Sequence, residues 1–141
     1  GWTDPDLYAN FVKGSNAILK AVEKSGVKRF LVVGGAGSLE VAPGVELIDT
    51  PQFPAEIRPG AQGARELRDA LRAGSSLDWT VLSPAAMLAP GQRTGNFRLG
   101  TTSLLMNGDA PANISVEDLA VAILNEIEQP QFIKQQFTAA Y

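Results

Sequence analysis

A glycine-rich segment, Gly34-Gly35-Ala36-Gly37-Ser38, follows the apolar run Phe30–Val33 and is the first candidate for ligand chemistry. A dinucleotide-binding turn requires G-x-G-x-x-G between a strand and a helix. This segment supplies only the first two glycines, because Glu40 occupies the third position and Pro43 soon interrupts any helix. A pyrophosphate site on a helix N-terminus is therefore not predicted. Two interpretations stay open: a tight turn, or glycines that let the backbone lie close to a flat ligand.

A second candidate segment, Ser83-Pro84-Ala85-Ala86-Met87, follows the apolar run Trp79–Leu82. Ligands of parallel sheets bind beyond the carboxyl ends of the strands, so this segment and the glycine-rich one are expected to flank one pocket. The structural alternative is that Pro84 ends a strand and Met87 fills the core. Trp79 is interpreted as a packing residue, as is Trp2, rather than as a stacking platform for a ligand.

The polar stretch 93–98 contains two arginines, Arg93 and Arg98. The planar guanidinium of Arg93 could pair with an acidic substrate. The favoured alternative is a solvated side chain, or an ion pair with Glu117 or Asp118. These two acids are predicted in the first turn of a helix, where negative charge complements the helix dipole.

Composition excludes several kinds of chemistry. The 141 residues contain neither histidine nor cysteine, which rules out disulfides, Cys/His zinc sites, catalytic triads and histidine bases. The formal charge is -3, from 12 basic and 15 acidic residues, without the basic excess typical of nucleic-acid binding. No apolar run approaches the ~18 residues that span a bilayer. We expect a cytoplasmic protein that acts on a small molecule and has no metal, nucleic-acid or membrane partner; a homo-oligomer is an open alternative.

Apolar periodicity predicts an α/β fold. Three helices and three main strands alternate: Leu7–Ser25, Phe30–Val33, Ala61–Ala73, Trp79–Leu82, Val116–Glu128 and Phe137–Ala140. The continuous apolar strands are typical of strands buried on both faces of a parallel sheet. Residues 38–60 contain four prolines and predict a long surface excursion with a short strand at Val45–Ile48.

Smaller signals set the ends of the elements. Thr3 or Asp4 is the predicted cap of the first helix, and Ser115 with Asp118 forms a capping box for the third. Short strands are predicted at Phe97–Leu99 and Ser103–Met106, the second before a turn at Asn107-Gly108. The inner face of the third helix is predicted to hold its apolar residues, which are Val116, Leu119, Ala120, Ile123, Leu124 and Ile127.

Four stretches in this order resemble the atypical short-chain dehydrogenase/reductases, in particular their NAD(P)H-binding, NmrA-like and flavin-reductase-like members. They are V-K-R-F-L-V-V-G-G-A-G-S, L-D-W-T-V-L-S-P-A-A-M-L-A-P-G, R-T-G-N-F-R-L-G and I-S-V-E-D-L-A-V-A-I-L-N-E-I-E-Q-P. The resemblance covers essentially the whole chain. It implies a Rossmann-like, doubly wound, mainly parallel sheet.

The resemblance also implies a cofactor, NADP or NAD, and residues that contact it. The nicotinamide pocket is expected between the two candidate segments, with cofactor contacts from Gly34, Gly35, Ala36, Gly37, Ser83, Pro84, Ala85, Ala86 and Met87. Ser38 is expected to donate a hydrogen bond to the substrate, and Arg93 is the other candidate substrate contact.

Two features of the family are not found in the sequence. The family begins with a strand and G-x-x-G-x-x-G that bind the pyrophosphate, so residues 1–141 are expected to be the C-terminal two thirds of one NAD(P)-binding domain. Phe30–Val33 would then be an exposed edge strand, which favours pairing with another chain. The catalytic pair Y-x-x-x-K is also missing: residues 59–66 lie in its place with neither Tyr nor Lys, and the only tyrosines are Tyr8 and Tyr141.

Three functions remain open. The leading one is an NAD(P)H-binding oxidoreductase-like domain, a flavin or quinone reductase without the Tyr/Lys pair, in which the cofactor carries the chemistry. The second is a non-catalytic nucleotide sensor that responds to redox state. The third is an inactive fragment.

Overall fold

The structure of the chain is a computed structural model that describes residues 4–141. The predicted cap Thr3 and the predicted packing residue Trp2 lie outside that range. The other candidate cap, Asp4, is not the N-cap of the first helix, which is Asp6 because the helix begins only at Leu7. The Asp4 carboxylate accepts a hydrogen bond of 2.8 Å from the Asp6 amide.

Three α-helices and ten strands follow one another between residues 4 and 141. The helices are α1 (Leu7–Ser25), α2 (Arg58–Gly74) and α3 (Val116–Glu128). The strands are β1 (Arg29–Val33), β2 (Glu40–Ala42), β3 (Val45–Glu46), β4 (Asp78–Pro84), β5 (Met87–Ala89), β6 (Arg98–Gly100), β7 (Met106–Asn107), β8 (Ala110–Pro111), β9 (Asn113–Ser115) and β10 (Gln135–Ala140). Single 3-10 turns lie at Ala36–Ser38 and Leu47–Asp49.

The central sheet has the order β1-β4-β10-β6. Strand β4 pairs in parallel with both β1 and β10, so Leu82 lies beside Val33 on one side and Phe137 on the other. Strand β6 runs antiparallel to β10. The remaining strands form two-stranded pairs, β2 with β3, β5 with β9 and β7 with β8. The predicted α/β fold with a mainly parallel sheet is confirmed.

Alternate residues of β4 face the two layers of helices, because successive side chains of a strand point to opposite faces. Trp79 and Val81 pack with Leu71 of α2, and Leu19 of α1 joins the same cluster. Leu82 packs with Leu119 of α3 on the opposite face. The interpretation of Trp79 as a packing residue is therefore confirmed; its side chain is 4% exposed.

Strand β1 is not buried on both faces, as its apolar sequence predicted. It lies at the edge of the described sheet, its first four residues are half-buried, and Val33 is 45% exposed. The apolar run is therefore the outer strand of the described sheet, and part of its hydrophobic surface is in contact with solvent. The expectation that Phe30–Val33 would be an edge strand agrees with the described sheet.

The predicted inner face of α3 is partly wrong. Val116, Leu124 and Ile127 are exposed, whereas Asp118 and Glu126 are buried. The reason is that each acid accepts several hydrogen bonds inside the protein, which offsets the cost of burying a carboxylate. Glu126 accepts from the Gln131 and Phe132 amides, and from Arg29 at 2.9 Å.

Three further predictions need correction. Helix α2 begins at Arg58, not Ala61, because Pro59 fits the first helical turn. The excursion of residues 38–60 is not only surface, since Leu39, Ile48 and Phe53 are buried. The short strands differ in their bounds. The strand predicted at Val45–Ile48 begins at Val45 but ends at Glu46 (β3), the one predicted at Phe97–Leu99 lies one residue later (β6), and the one predicted at Ser103–Met106 begins only at Met106 (β7). None of the helices within residues 4–141 combines the length and apolarity that crossing a bilayer requires.

Candidate functional site

The two candidate segments lie side by side at the carboxyl ends of β1 and β4. The Gly34 amide donates to the Leu82 carbonyl at 2.8 Å, which continues the strand ladder into the loops. At Gly34 a Cβ atom would lie 3.1 Å from the Val81 side chain and 3.5 Å from Ser83 Oγ. The structure therefore brings the first residues of both predicted cofactor segments into contact, and this close approach is what glycine at position 34 permits.

The next two glycines of the loop differ in their surroundings. A Cβ at Gly35 would have open space around it, with the nearest atom at 4.0 Å. A Cβ at Gly37 would lie 3.3–3.4 Å from Ala61, Ile48 and Phe53, so this glycine is a packing contact with α2 and the excursion. Gly35 and Ala36 are half-buried and can meet a ligand, while Gly37 is buried.

Ser38 lies below this loop in a buried polar cluster with Ser83 and Gln136. Its hydroxyl donates to the Gly35 carbonyl at 3.1 Å and lies 3.3 Å from Ser83 Oγ. Gln136 Nε2 donates to Ser83 Oγ at 2.9 Å and to Ser38 Oγ at 3.1 Å. The Ser38 side chain is only 5% exposed. Its hydroxyl therefore bonds residues inside the protein and stabilises the loop, and it does not face the solvent.

Arg68 of α2 stabilises the same loop by a hydrogen bond from the protein interior. Its guanidinium donates to the Ser38 carbonyl at 2.9 Å and forms a 2.8 Å ion pair with Glu46 of β3. The side chain is 3% exposed, so these bonds form away from competing water. The contacts tie the residues after β1 to α2 at two points.

The second candidate segment begins inside β4, whose last two residues are Ser83 and Pro84, and runs from the interior to the surface. Ser83, Pro84 and Ala85 are buried, Ala86 is half-buried, and Met87 is 61% exposed. From Met87 onward the backbone forms β5, which pairs in parallel with β9. Of the five predicted cofactor contacts in this segment, Ala86 and Met87 have side chains that reach the surface.

Arg93 is exposed, and no ion pair to it is present within residues 4–141. The expected alternative, a pair with Asp118, is replaced by a different network. Asp118 accepts hydrogen bonds from the Thr94 amide at 2.9 Å, the Gly95 amide at 2.8 Å and the Tyr141 hydroxyl at 2.7 Å. The solvated interpretation of Arg93 fits its exposure. Arg98 donates instead to the carbonyl of Tyr141 at 3.0 Å.

The Asp118 carboxylate is held ionised by these contacts. Burial acts to raise its pKa, but the hydrogen bonds from Thr94, Tyr141 and the amide of Gly95 outweigh burial and lower the pKa from 3.8 to about 2. The amide of Asp118 itself donates to Ser115 Oγ at 3.0 Å, which confirms Ser115 as the cap of α3.

We expect the stability that Asp118 contributes to depend on pH. Because its folded pKa lies below the unfolded value, its contribution is complete above about pH 4 and is lost as the pH falls toward 2. Urea unfolding of the wild type and of Asp118→Asn should therefore differ most at pH 5–7, and the difference should shrink between pH 4 and pH 2. A difference that stays constant over this range would contradict the assignment.

In residues 4–141, the hydroxyl groups of both tyrosines bond carboxylates. Tyr8 of α1 donates to Glu66 of α2, and Tyr141 donates to Asp118 at 2.7 Å while its oxygen lies 2.8 Å from Ser115 Oγ. Helix α2 contains neither tyrosine nor lysine. Within the part of the chain that the structure describes, there is also no group of three or more acidic side chains able to hold a metal ion.

A family model for NAD(P)H-binding proteins matches residues 5–130. The chain belongs to the NAD(P)H-binding family. The predicted membership in an NAD(P)H-binding family is thereby confirmed.

Several proteins are similar to this chain in sequence or in fold. The "Uncharacterized protein YwnB" of Bacillus subtilis (strain 168) is 39% identical over 130 residues, which are 90% of this chain and 61% of that protein. The crystal structure of a "putative exported protein" from Burkholderia pseudomallei is 46% identical, with a TM-score of 0.88 over 95% of this chain and 65% of that one. A "putative NADH-flavin reductase" from Streptococcus pneumoniae TIGR4 is 33% identical, with a TM-score of 0.86 over 99% of this chain and 68% of that one. The chain thus spans less than two thirds of the length of the first two relatives.

Two open clefts in this NAD(P)H-binding chain are lined by residues that adjoin the candidate segments in sequence, although neither Gly34–Ser38 nor Ser83–Ala86 lines them. One, of about 470 Å³, follows the segment after β4 and is lined by uncharged residues, among them Met87, Leu88, Thr94 and Tyr141. The other, of about 730 Å³, follows the segment after β1. Both volumes fall in the range of small-molecule sites.

Sequence reasoning missed two residues that shape this site, Arg68 and Gln136. Both carry long polar side chains into the interior, and both donate to Ser38. A signal for Arg68 was present: it lies near the apolar stripe of α2, one residue after Leu67, where a charged side chain needs a buried partner. Gln136 begins the buried part of β10 and gives no comparable signal.

Proposed function

We propose that this protein is an NAD(P)H-dependent reductase that passes hydride to a flavin or quinone without a Tyr/Lys catalytic pair. One observation carries the proposal: the two segments at the carboxyl ends of β1 and β4, residues 33–36 and 83–87, meet in space and contain no titratable side chain. Membership in the NAD(P)H-binding family supplies the cofactor.

Residues 33–36 and 83–87 of the described chain contain no acidic side chain, and this restricts the acceptors that the two segments can serve. Reduction of an isolated ketone leaves an alkoxide, so it needs a general acid at the oxygen. A flavin or quinone ring instead spreads the charge of the added hydride over a conjugated system and can take its proton from water. For such an acceptor, the protein contributes mainly by holding the two rings together.

The residues present fit the nicotinamide half of the cofactor. A Cβ atom at Gly35 would meet no atom closer than 4.0 Å, so the space beside this residue is open. Two exposed apolar side chains lie in the same regions of the chain: Val33 at the end of β1 and Met87 at the start of β5. Gly34–Gly37 and Ser83–Met87 are the proposed cofactor contacts, with Ser38 held beneath them and Arg93 as a proposed substrate contact. The 3-10 turn at Ala36–Ser38 is only three residues long, so this loop does not offer the pyrophosphate a helix N-terminus.

A non-catalytic nucleotide sensor is the second candidate, and α2 is the observation that favours it, because this helix has neither tyrosine nor lysine. Preference between NAD and NADP stays open in both cases. We place either function in the cytoplasm, in keeping with a chain that contains no cysteine.

Turnover and binding together test the proposal. NADH and NADPH are titrated by fluorescence against residues 1–141 and against the gene product that contains them. Oxidation at 340 nm is then followed with 1,4-naphthoquinone, riboflavin, FMN and an aliphatic ketone. We expect binding, and turnover with at least one ring acceptor but not with the ketone. Binding without turnover would favour the sensor, and turnover with the ketone alone would overturn the proposal.

A further inference from the structure

The larger cleft, which we call the acidic cleft, is walled by the excursion after β1 and by residues 103–111. Backbone hydrogen bonds join the walls: the Glu40 amide donates to the Thr102 carbonyl and the Leu104 amide donates to the Glu40 carbonyl, both at 2.8 Å. The cleft has a volume of about 730 Å³, enough for a fused-ring molecule. Its lining residues are Glu40, Val41, Ala42, Pro43, Leu47, Thr50, Gln52, Ser103, Leu104, Met106, Asp109 and Pro111.

The residues that line the acidic cleft are mostly apolar, and the charged ones among them are negative. Val41 and Met106 are 44% and 39% exposed although both are hydrophobic, which makes the cleft a favourable place for an apolar ring. Thr50, Gln52 and Ser103 can bond the polar edge of such a ring. The two charged lining residues, Glu40 and Asp109, are both acidic, and no lysine or arginine lines the cleft.

The cleft begins where the predicted nicotinamide wall ends. Glu40 lies five residues after Gly35, so their Cα atoms are at most ~19 Å apart, and the 3-10 turn at Ala36–Ser38 shortens this path. The 3-10 turn thus joins the loop that the proposed function assigns to the cofactor to the first wall of the acidic cleft.

Arg98 is the cation nearest in sequence to the Met106 wall. Its guanidinium donates to the carbonyl of Met106 and, at 2.8 Å, to the Asn107 side chain, in addition to its bond to Tyr141. These contacts use the Nε and Nη2 donors of Arg98, and Arg98 does not line the cleft. A phosphate group in the cleft would thus face carboxylates without a paired cation.

We propose that the acidic cleft takes an uncharged fused-ring hydride acceptor, the ring of a quinone or of riboflavin, and rejects the phosphate-bearing flavin FMN. The inference rests on the proposed function. In the reaction, the C4–H bond of the nicotinamide breaks and its hydride, which carries two electrons, forms an N–H bond at flavin N5, or an O–H or C–H bond on a quinone. One proton from water completes the hydroquinone or dihydroflavin, and NAD(P)⁺ is the oxidised product.

The test compares riboflavin with FMN, which have the same ring and differ by the phosphate. In the gene product at low salt, we expect kcat/KM for riboflavin to exceed that for FMN by about tenfold, from like-charge repulsion over roughly 8–10 Å. Added salt should reduce this ratio, because it screens exposed charges. 1,4-Naphthoquinone, run in parallel, shows which uncharged ring is preferred.

A double variant assigns the effect to the cleft. Glu40→Gln with Asp109→Asn should bring the riboflavin/FMN ratio close to one, whereas Glu23→Gln with Glu128→Gln, which removes two exposed charges outside the cleft lining, should leave it unchanged. Equal use of FMN and riboflavin by the wild type, or an unchanged ratio in the cleft variant, would overturn the inference.

Ligand binding separates this inference from the proposed function. Flavin fluorescence quenching measures the affinities of riboflavin and FMN without turnover. If no acceptor is reduced but riboflavin still binds more tightly than FMN in a manner that the cleft variant abolishes, the reductase proposal fails and the cleft assignment stands. If an acceptor is reduced but riboflavin and FMN have equal affinities and equal kinetics, the reductase proposal stands and the cleft assignment fails.

Discussion

Ala86→Arg is expected to lower kcat/KM for NAD(P)H oxidation by about 100-fold in the gene product, because a misplacement of about 1 Å at a reacting centre costs this much. Ala86 is half-buried between buried Ala85 and exposed Met87, so a long charged side chain would project over the predicted nicotinamide pocket. Ala120→Arg on the exposed side of α3 is the matched control, which should retain wild-type kinetics. Steady-state oxidation at 340 nm and the urea midpoint separate loss of the site from loss of the fold.

Gly35→Val tests the opposite wall of the same pocket. The backbone of Gly35 is extended, with φ −135° and ψ 155°, which valine adopts readily, and its Cβ would have no neighbour closer than 4.0 Å. We therefore expect the folded stability to be kept and NAD(P)H affinity to fall. Unchanged kinetics in both Gly35→Val and Ala86→Arg would show that the pocket lies elsewhere.

Gly63→Ala is expected to destabilise the chain by about 2 kcal/mol. Gly63 lies in α2 against α1, where a Cβ would come within 2.7 Å of Phe11 Cδ1, 2.8 Å of its Cγ and 3.1 Å of its Cβ. Contact this close to the root of the Phe11 side chain cannot be relieved by its far end, so the two helices must separate. The cost exceeds the roughly 1 kcal/mol that alanine gains over glycine in a helix.

Gly14→Ala is the control for Gly63→Ala and should change stability in the opposite direction. Gly14 lies inside α1, is exposed, and would place its Cβ where no atom lies within 4 Å. Only the helix propensity then remains, so we expect a gain of about 1 kcal/mol. Urea unfolding of both variants measures the difference, and a loss of stability in both would mean that the α1–α2 packing is not its cause.

The main helices and strands could be predicted because their signals are local. Helix α1 shows apolar residues at helical spacing and ends at Gly26, which has φ 78°. Strand β4 contains a short apolar run, and Pro84 is its last residue. The inner face of α3 could not be predicted by hydropathy, because what buries Asp118 is a set of donors from residues 94, 95 and 141, far away in the sequence.

The candidate site was predictable as a place but not as a set of contacts. The rule that ligands bind beyond the carboxyl ends of parallel strands located both segments. Which side chains face outward was not accessible, as Ser38 illustrates: its residue type suggested a substrate contact, while Arg68 and Gln136, distant in sequence, hold it inside. The acidic cleft was equally hidden, since its walls come from segments about 60 residues apart.

The bonds between Gln136 and Ser38 also bear on when the loop after β1 becomes ordered. These residues lie 98 positions apart, so the chain must close a long loop before the bonds can form. Contacts between residues that are far apart in sequence form late, because closing the loop between them costs conformational entropy before the contact stabilises the chain. During refolding we expect the sheet to assemble before this loop is fixed. Recovery of nicotinamide binding would then lag behind recovery of secondary structure, so the ligand would report the final step of folding.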